Sequence, residues 1–384
     1  MPTTRFKNLT YRMMLPFFSP NCSHNPIETV TGHDLVYACQ AEKLYRKHHI
    51  LGSATLLSSE NQTSLILTSS SVPCHKASAD TYFRVASITK MATSILSMYF
   101  VDRQYIDPDA PVSSFFPCEK LPPVFHRITL RQLLSHTSGL TDPPDLENAL
   151  MAGVTFPELI VKYPVSSSDN SFHYSNLGYG IIGSILESVF SMPVSRIYDQ
   201  YLFAPLKMNA TLEGCRIDKA GIMPVTRILP YHPGNDLILT PLGTRPLDIP
   251  DPLRHYGHTA GSMYADIRSI HVLLRVLSDG NHPFLSRASV QEIRKQHASY
   301  GKLSPTLSYG LGLLRINDAY LSDHLIYGHQ GFAYGCADGA FWEDTTGRIM
   351  ITLNGGCSEA RNGRLGTANR DFLHYAFKKE LPAW

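Results

Sequence analysis

What this chain of 384 residues has little of already narrows its function. No apolar run approaches the roughly 18–20 residues that a bilayer-spanning helix needs, so no membrane span is expected. Charged residues make up 17% of the chain and the formal net charge is +2, without a basic run of five or more. Nothing in that balance points to a nucleic-acid partner. The seven cysteines (22, 39, 74, 118, 215, 336 and 357) contain no C-x-x-C pair, which excludes the usual zinc ribbon and redox dithiol. Scattered reduced thiols suit the cytosol. Although 17 histidines are present, there is no His-Glu-x-x-His, and no metal or other cofactor is expected. The stretch Met13-Met14-Leu15-Pro16-Phe17-Phe18 is too short and too interrupted for a signal-peptide core, so the expected location is cytoplasmic.

The length exceeds the roughly 250–300 residues that one hydrophobic core serves, so two lobes are expected. Residues 1–31 carry four prolines and read as irregular. Asp34 to His48 shows an approximate helical stripe; Ser53 to Leu57 and Ser64 to Thr68 read as a hairpin. From about 105 to 234 helical signals dominate, with Thr129 a plausible N-cap and Leu177 to Phe190 apolar at helical spacing. Asp266 opens a further helix, Cys336 to Trp342 and Ile349 to Leu353 flank a turn, and Asn369 to Lys379 closes the chain as a helix. The pattern predicts an α/β (α+β) fold: a discontinuous domain from 32–104 and 235–384, interrupted by a helical domain over 105–234.

One motif invites a wrong reading. Gly178-Tyr179-Gly180-Ile181-Ile182-Gly183 matches the dinucleotide fingerprint, yet the preceding residues are polar where that fingerprint requires an apolar strand. The glycines are expected to permit close helix packing instead.

The chemistry centres on Ser87-Ile88-Thr89-Lys90, which opens the apolar run Met91 to Val101. Three residues apart at a helix start, serine and lysine share a face, so the amine can reach the hydroxyl. A second match, Ser299-Tyr300-Gly301-Lys302, reads as a loop. Tyr174-Ser175-Asn176 precedes the glycine-rich helix; a tyrosine near an ammonium can have its pKa lowered and relay the serine proton. Asn176 is placed to bind a substrate carbonyl or fix the lysine. His329-Gln330-Gly331 precedes the last strands, and the glycine would let a strand backbone approach substrate closely. The amides of Ser87 and Phe332 would then form an oxyanion hole.

In this order, Ser-x-x-Lys, Tyr-x-Asn and a basic residue-x-Gly resemble the three elements of penicillin-recognising serine enzymes. The flanking segments Phe83 to Lys90, Leu133 to Leu140, Pro205 to Met208 and Tyr309 to Gly312 are similar to the class C β-lactamase-like branch. Relatives of that branch include D-amino-acid peptidases, amidases and family VIII esterases. The resemblance implies an antiparallel sheet flanked by helices plus an all-helical lobe, with the active site between them. It implies Ser87 as nucleophile, Lys90 and Tyr174 as proton carriers, Asn176 as a positioning group, and His329 with Gly331 on the opposite wall. The sequence departs from class C β-lactamases at the third element, where Lys-Thr-Gly is usual: an imidazole, partly protonated near neutrality, replaces a permanent charge. The expectation is a hydrolase of small esters or amides, D-amino-acid peptides among them. An acyltransferase, a true β-lactamase and a non-catalytic β-lactam-binding scaffold are the alternatives.

Overall fold

The computed structural model describes residues 10, 13–15, 27–31, 35–60, 62–68, 70–71, 74–117, 119, 121–165, 171–229 and 237–378. Among these, the central element is a nine-stranded sheet. Its strands are β1 (Ile27–Thr31), β2 (Leu51–Ser58), β3 (Thr63–Thr68), β4 (Ala298–Ser299), β5 (Leu307–Tyr309), β6 (Leu314–Ile316), β7 (Ile326–Ala333), β8 (Cys336–Glu343) and β9 (Ile349–Gly356). The spatial order is β1-β3-β2-β9-β8-β7-β6-β5-β4, with every neighbouring pair antiparallel. Early and late chain meet at its centre, where Thr55 of β2 faces Thr352 of β9.

Alternation along the strands explains why both faces are covered. Leu56, Leu65, Trp342 and Ile351 enter one core; Leu57, Ile66, Phe341 and Met350 enter the other. Helix α1 (Leu35–Lys47) and helix α7 (Thr367–Phe377) close the second core through Ala41, Tyr45, Phe372 and Leu373. On the opposite face lie α2 (Thr89–Asp102) and α6 (Ile267–Ser278). Beyond α2 come α3 (Leu130–Leu134), α4 (Asn176–Phe190) and α5 (His258–Gly261). No single helix among the described residues is long and apolar enough to cross a membrane.

Local signals set the helix starts. Thr129 accepts from the Gln132 amide at 3.3 Å while Gln132 reaches back to the Thr129 amide, a reciprocal capping box for α3. Asp266 accepts from Ser269 N at 2.7 Å and begins α6. The N-terminal region brings a correction. Ile27–Thr31 is an edge strand against β3, although its five residues sit within the stretch read as irregular. Its Ile-Glu-Thr-Val-Thr alternation was masked by the surrounding prolines. The rest of that stretch, apart from Thr10 and Met13–Leu15, lies outside the described residues, as does Asn61 in the β2–β3 turn.

The glycines of α4 pack as their sequence context implies. A methyl group added at Gly180 would lie 1.4 Å from the Tyr256 carbonyl oxygen, and one at Gly183 would lie 2.8 Å from the Thr259 side chain. They bring α4 against α5, which matters for the site.

Candidate active site

Ser87 sits where a strand turns into a buried helix. Phe83–Arg84 pairs with Tyr264–Ala265, and Val85 N donates to Met263 O at 3.1 Å. A 3₁₀ turn over Ala86–Ile88 then feeds α2. Ala86 has φ of 46°, a left-handed conformation that costs a residue with a Cβ about 1–2 kcal/mol. The turn's own bonds run from Ile88 N to Val85 O and from Thr89 N to Ala86 O, leaving the Ser87 amide outside them. Helix α2 is buried almost all round, as its apolar sequence requires. Its hydroxyls find backbone acceptors: Thr93 donates to Thr259 O at 2.6 Å and Ser94 to Leu311 O at 2.7 Å.

Lys90 is wholly buried, and its amine has three partners: Ser87 Oγ at 3.0 Å, Asn176 Oδ1 at 2.8 Å and Ala260 O at 2.6 Å. Burial pulls its pKa down to about 7; the Asp142 charge opposes that shift and the Arg84 charge assists it. The Tyr174 hydroxyl donates to Ser87 Oγ at 2.8 Å. Burial raises the Tyr174 pKa above its ordinary 10, and the Ser87 hydrogen bond only partly offsets this. The expected lowering by the lysine is therefore not found. A neutral phenol, and not a phenolate, meets the serine.

Two supports escaped the sequence reading. Asp142 accepts from Asn176 Nδ2 at 2.7 Å, Leu177 N at 2.9 Å and Ser175 Oγ at 3.2 Å. By holding Nδ2 it turns the Asn176 oxygen toward Lys90. Its signal was an acidic residue two places beyond the Leu133–Leu140 segment. The Ala260 carbonyl had no signal at all, because a backbone acceptor carries no residue signature. Within the Leu133–Leu140 segment, His136 clamps the tyrosine loop: its Nδ1 accepts from Ser175 N at 3.1 Å and its carbonyl from His173 N at 2.8 Å. Its ring also packs 4.4 Å from that of Tyr174.

Asp142→Asn is expected to lower kcat/KM about tenfold by loosening Asn176. It should also move the acidic limb of the pH profile below about 7, since the Asp142 charge holds the Lys90 pKa up. A pH–rate series on both proteins checks this, and an unmoved limb would remove Asp142 from that electrostatic role.

The third element is held mainly by contacts within the protein. His329 is buried, with Nε2 2.9 Å from the Tyr309 hydroxyl and Nδ1 2.7 Å from the Gln330 carbonyl. Burial, then the nearby Lys90 charge, pushes its pKa down to about 3, so it is neutral at pH 7. The Gln330 amide bonds Arg364 O and Gly366 N at 2.7 and 3.0 Å. Gly331 allows the strand to close on the turn that carries Ser87: an added Cβ would lie 2.4 Å from Val85 O. Neither His329 nor Gly331 lines the cleft of about 400 Å³ that contains Ser87, Asn176 and Phe332. Phe332 N–H follows from the hairpin register. The two-residue turn Tyr334-Gly335, with φ of 54° and 109°, makes Ala333 and Cys336 the hydrogen-bonded pair. Alternation then directs the Phe332 amide away from β8. Strand β6 pairs with β7 only as far as Gly328, so that edge is open toward the Ser87 turn. The second Ser-x-x-Lys match ends in an exposed Lys302 and takes no part.

A large antiparallel sheet covered by helices, with a serine, lysine and tyrosine meeting at the start of a buried helix, defines a protein of the β-lactamase/transpeptidase fold. The chain belongs to the Beta-lactamase family, whose model matches residues 41–354. It is 30% identical over 151 residues to Beta-lactamase-like protein 4 of Dictyostelium discoideum; the match spans 34% of this chain and 26% of that protein. The chain thus covers about a quarter of that relative's length. Among solved structures, a D-stereospecific amidohydrolase from Streptomyces sp. superposes with a TM-score of 0.65 at 21% identity, covering 85% of this chain and 96% of the other. EstCE1, described as a hydrolase with promiscuous acyltransferase activity, superposes with a TM-score of 0.67 at 19% identity over 96% of this chain and all of its own.

Proposed function

We propose that this protein is a serine hydrolase that forms an acyl-enzyme on Ser87 from a small ester or amide. The observation that carries this reading is Ser87 Oγ held between a buried Lys90 amine, at 3.0 Å, and the Tyr174 hydroxyl, at 2.8 Å. A neutral amine has two N–H bonds and one lone pair. Asn176 Oδ1 and Ala260 O take the two N–H bonds, which leaves the lone pair aimed at the serine hydroxyl. Lys90 accepts the Ser87 proton as Oγ bonds to the substrate carbonyl carbon. The oxyanion is met by the Ser87 and Phe332 amides. The carbonyl–leaving-group bond breaks as the leaving group takes a proton by way of Tyr174. Water then attacks the acyl-enzyme, giving its proton back along the same groups and releasing the acid.

Intact-mass spectrometry after treatment with a fluorophosphonate tests this. One adduct is expected on the wild type and none on Ser87→Ala. A wild type that gains no mass would overturn the reading. A panel of p-nitrophenyl ester, D-alanyl anilide and chromogenic cephalosporin then sorts ester, peptide and lactam turnover.

A further inference from the structure

Among the described residues, no carboxylate is bonded to the Lys90 amine, whose partners beside Ser87 are the Asn176 and Ala260 oxygens at 2.8 and 2.6 Å. Asp142, whose charge favours the ammonium, bonds Asn176 Nδ2 at 2.7 Å and not the amine itself. Two aromatic faces complete the surroundings. The amine lies 4.9 Å from the centroid of the Tyr174 ring and 5.4 Å from that of Tyr179, both inside the roughly 6 Å at which a ring face attracts a cation. Tyr174 has its hydroxyl on Ser87, whereas Tyr179 does not line the cleft. Tyr179 is fully buried and its hydroxyl donates to Leu134 O at 2.6 Å, so the ring face is what it offers the amine. Three residues after Asn176 on α4, it shares that residue's side of the helix, and one turn presents the amine with an oxygen and a ring. Thr259 Oγ1 donates to Tyr179 O at 2.7 Å, which ties this turn to α5 and its Ala260 carbonyl.

We propose that Tyr179 is a positioning residue for the Ser87 reaction, its ring face stabilising the Lys90 ammonium that forms as the amine takes the serine proton. The inference rests on the reading of Lys90 as the base. As Ser87 Oγ gives an electron pair to the substrate carbonyl carbon, its proton passes to Nζ, and a positive charge appears in a wholly buried position. A carboxylate in contact would meet that charge but would also hold the amine protonated beforehand, and so unable to act as a base. A ring face favours the ammonium less strongly, which helps the transition state and leaves the resting amine free to lose its proton. The other titratable or charged groups that face Lys90 are Tyr174, Asp142, Arg84, His136 and His329. Changing the electron density of the Tyr179 ring leaves each of them in place.

The test follows the rate at which a fluorophosphonate labels Ser87 as a function of pH, a readout that needs no natural substrate. Tyr179→Phe keeps the ring and removes only the hydroxyl, and Leu134 O retains the Gly312 amide at 3.0 Å. Mono-, di- and trifluorinated phenylalanine placed at the same position withdraw electrons from the ring face while keeping its bulk. Tyr179→Phe should retain an acid limb near that of the wild type. Added fluorines should move the limb stepwise to lower pH, by about one pH unit in all, and lower the plateau above it, because Lys90 becomes a weaker base. A merely structural role predicts no such order, since packing changes little along the series. Where Tyr179→Phe fails to fold, monofluorotyrosine at position 179, which keeps the hydroxyl, gives the same comparison against the wild type. A limb that stays in place along the series, or moves to higher pH, overturns the proposal. A wild type without an acid limb overturns the base reading beneath it, and one that takes no adduct overturns the nucleophile reading, each taking this inference with it.

Discussion

Lys90→Met is expected to lower kcat/KM by about 10²–10⁴-fold, the range a positioned general base contributes. The substitution keeps a chain of similar length in a fully buried position but removes the amine, 3.0 Å from Ser87 Oγ, that we propose takes the serine proton. Lys90→Arg should be no better, because a guanidinium does not deprotonate at working pH. That second variant separates a base from a mere positive charge: if Arg restores activity to within tenfold, the base role is wrong. The wild-type pH profile gives the same information without mutation. The active form is the neutral amine, and burial brings its pKa from 10.5 to about 7. Activity should therefore fall about tenfold per pH unit below about 7 and level off above it. The neighbouring imidazoles do not confuse that limb, since His329 is pushed down to about 3 and His136 well below its usual value. Linkage runs the same way. The unfolded chain binds the Lys90 proton between about pH 7 and 10.5 while the folded protein does not, so this group's contribution to stability rises with pH through that window.

Gly180→Ala is expected to destabilise the fold by about 3 kcal/mol or more, at the upper end for overpacking, because the clash is with backbone. The new methyl would lie 1.4 Å from Tyr256 O and 2.2 Å from Tyr256 C, neither of which can rotate away. Gly183→Ala should cost less, since its obstacle is the Thr259 side chain at 2.8 Å, and Gly178→Ala least, with its nearest contact at an ordinary 3.5 Å. Denaturant midpoints should follow that order. Gly180→Ala should also reduce the activity of the protein that does fold. The residues it displaces lead directly into α5, whose Ala260 carbonyl holds the Lys90 amine at 2.6 Å. A shift of about 1 Å there is enough to cost on the order of 100-fold in rate. Equal midpoints for Gly180→Ala and Gly178→Ala would show that α4 and α5 are not in this close contact.

Much of this architecture could be read before folding was considered. The apolar runs at 53–57, 64–68, 336–342 and 349–353 are strands because buried alternation on both faces needs them to be. Ser87 and Lys90 are adjacent through helical spacing alone, and Gly180 and Gly183 announced helix packing by lacking an apolar strand before them. Local chemistry likewise placed Thr129 and Asp266 as caps.

The long-range readings divided according to burial. Tyr174 meets Ser87 as its motif implied, yet its pKa moves up and not down, because desolvation outweighs the Ser87 hydrogen bond. His329 was expected on the substrate wall, partly charged; it is enclosed, neutral and bonded to Tyr309. Gln330 serves the hairpin at 361–366, and Gly331 serves the nucleophile turn. Asp142 and the Ala260 carbonyl enter only once the loops and α5 are packed around α2. The sequence by itself determined that Ser87 and Lys90 would meet, because they lie three residues apart where a 3₁₀ turn runs into α2. Only the tertiary structure decided their charge states and partners, because desolvation and hydrogen bonding depend on segments up to 170 residues away, as with Ala260 beside Lys90.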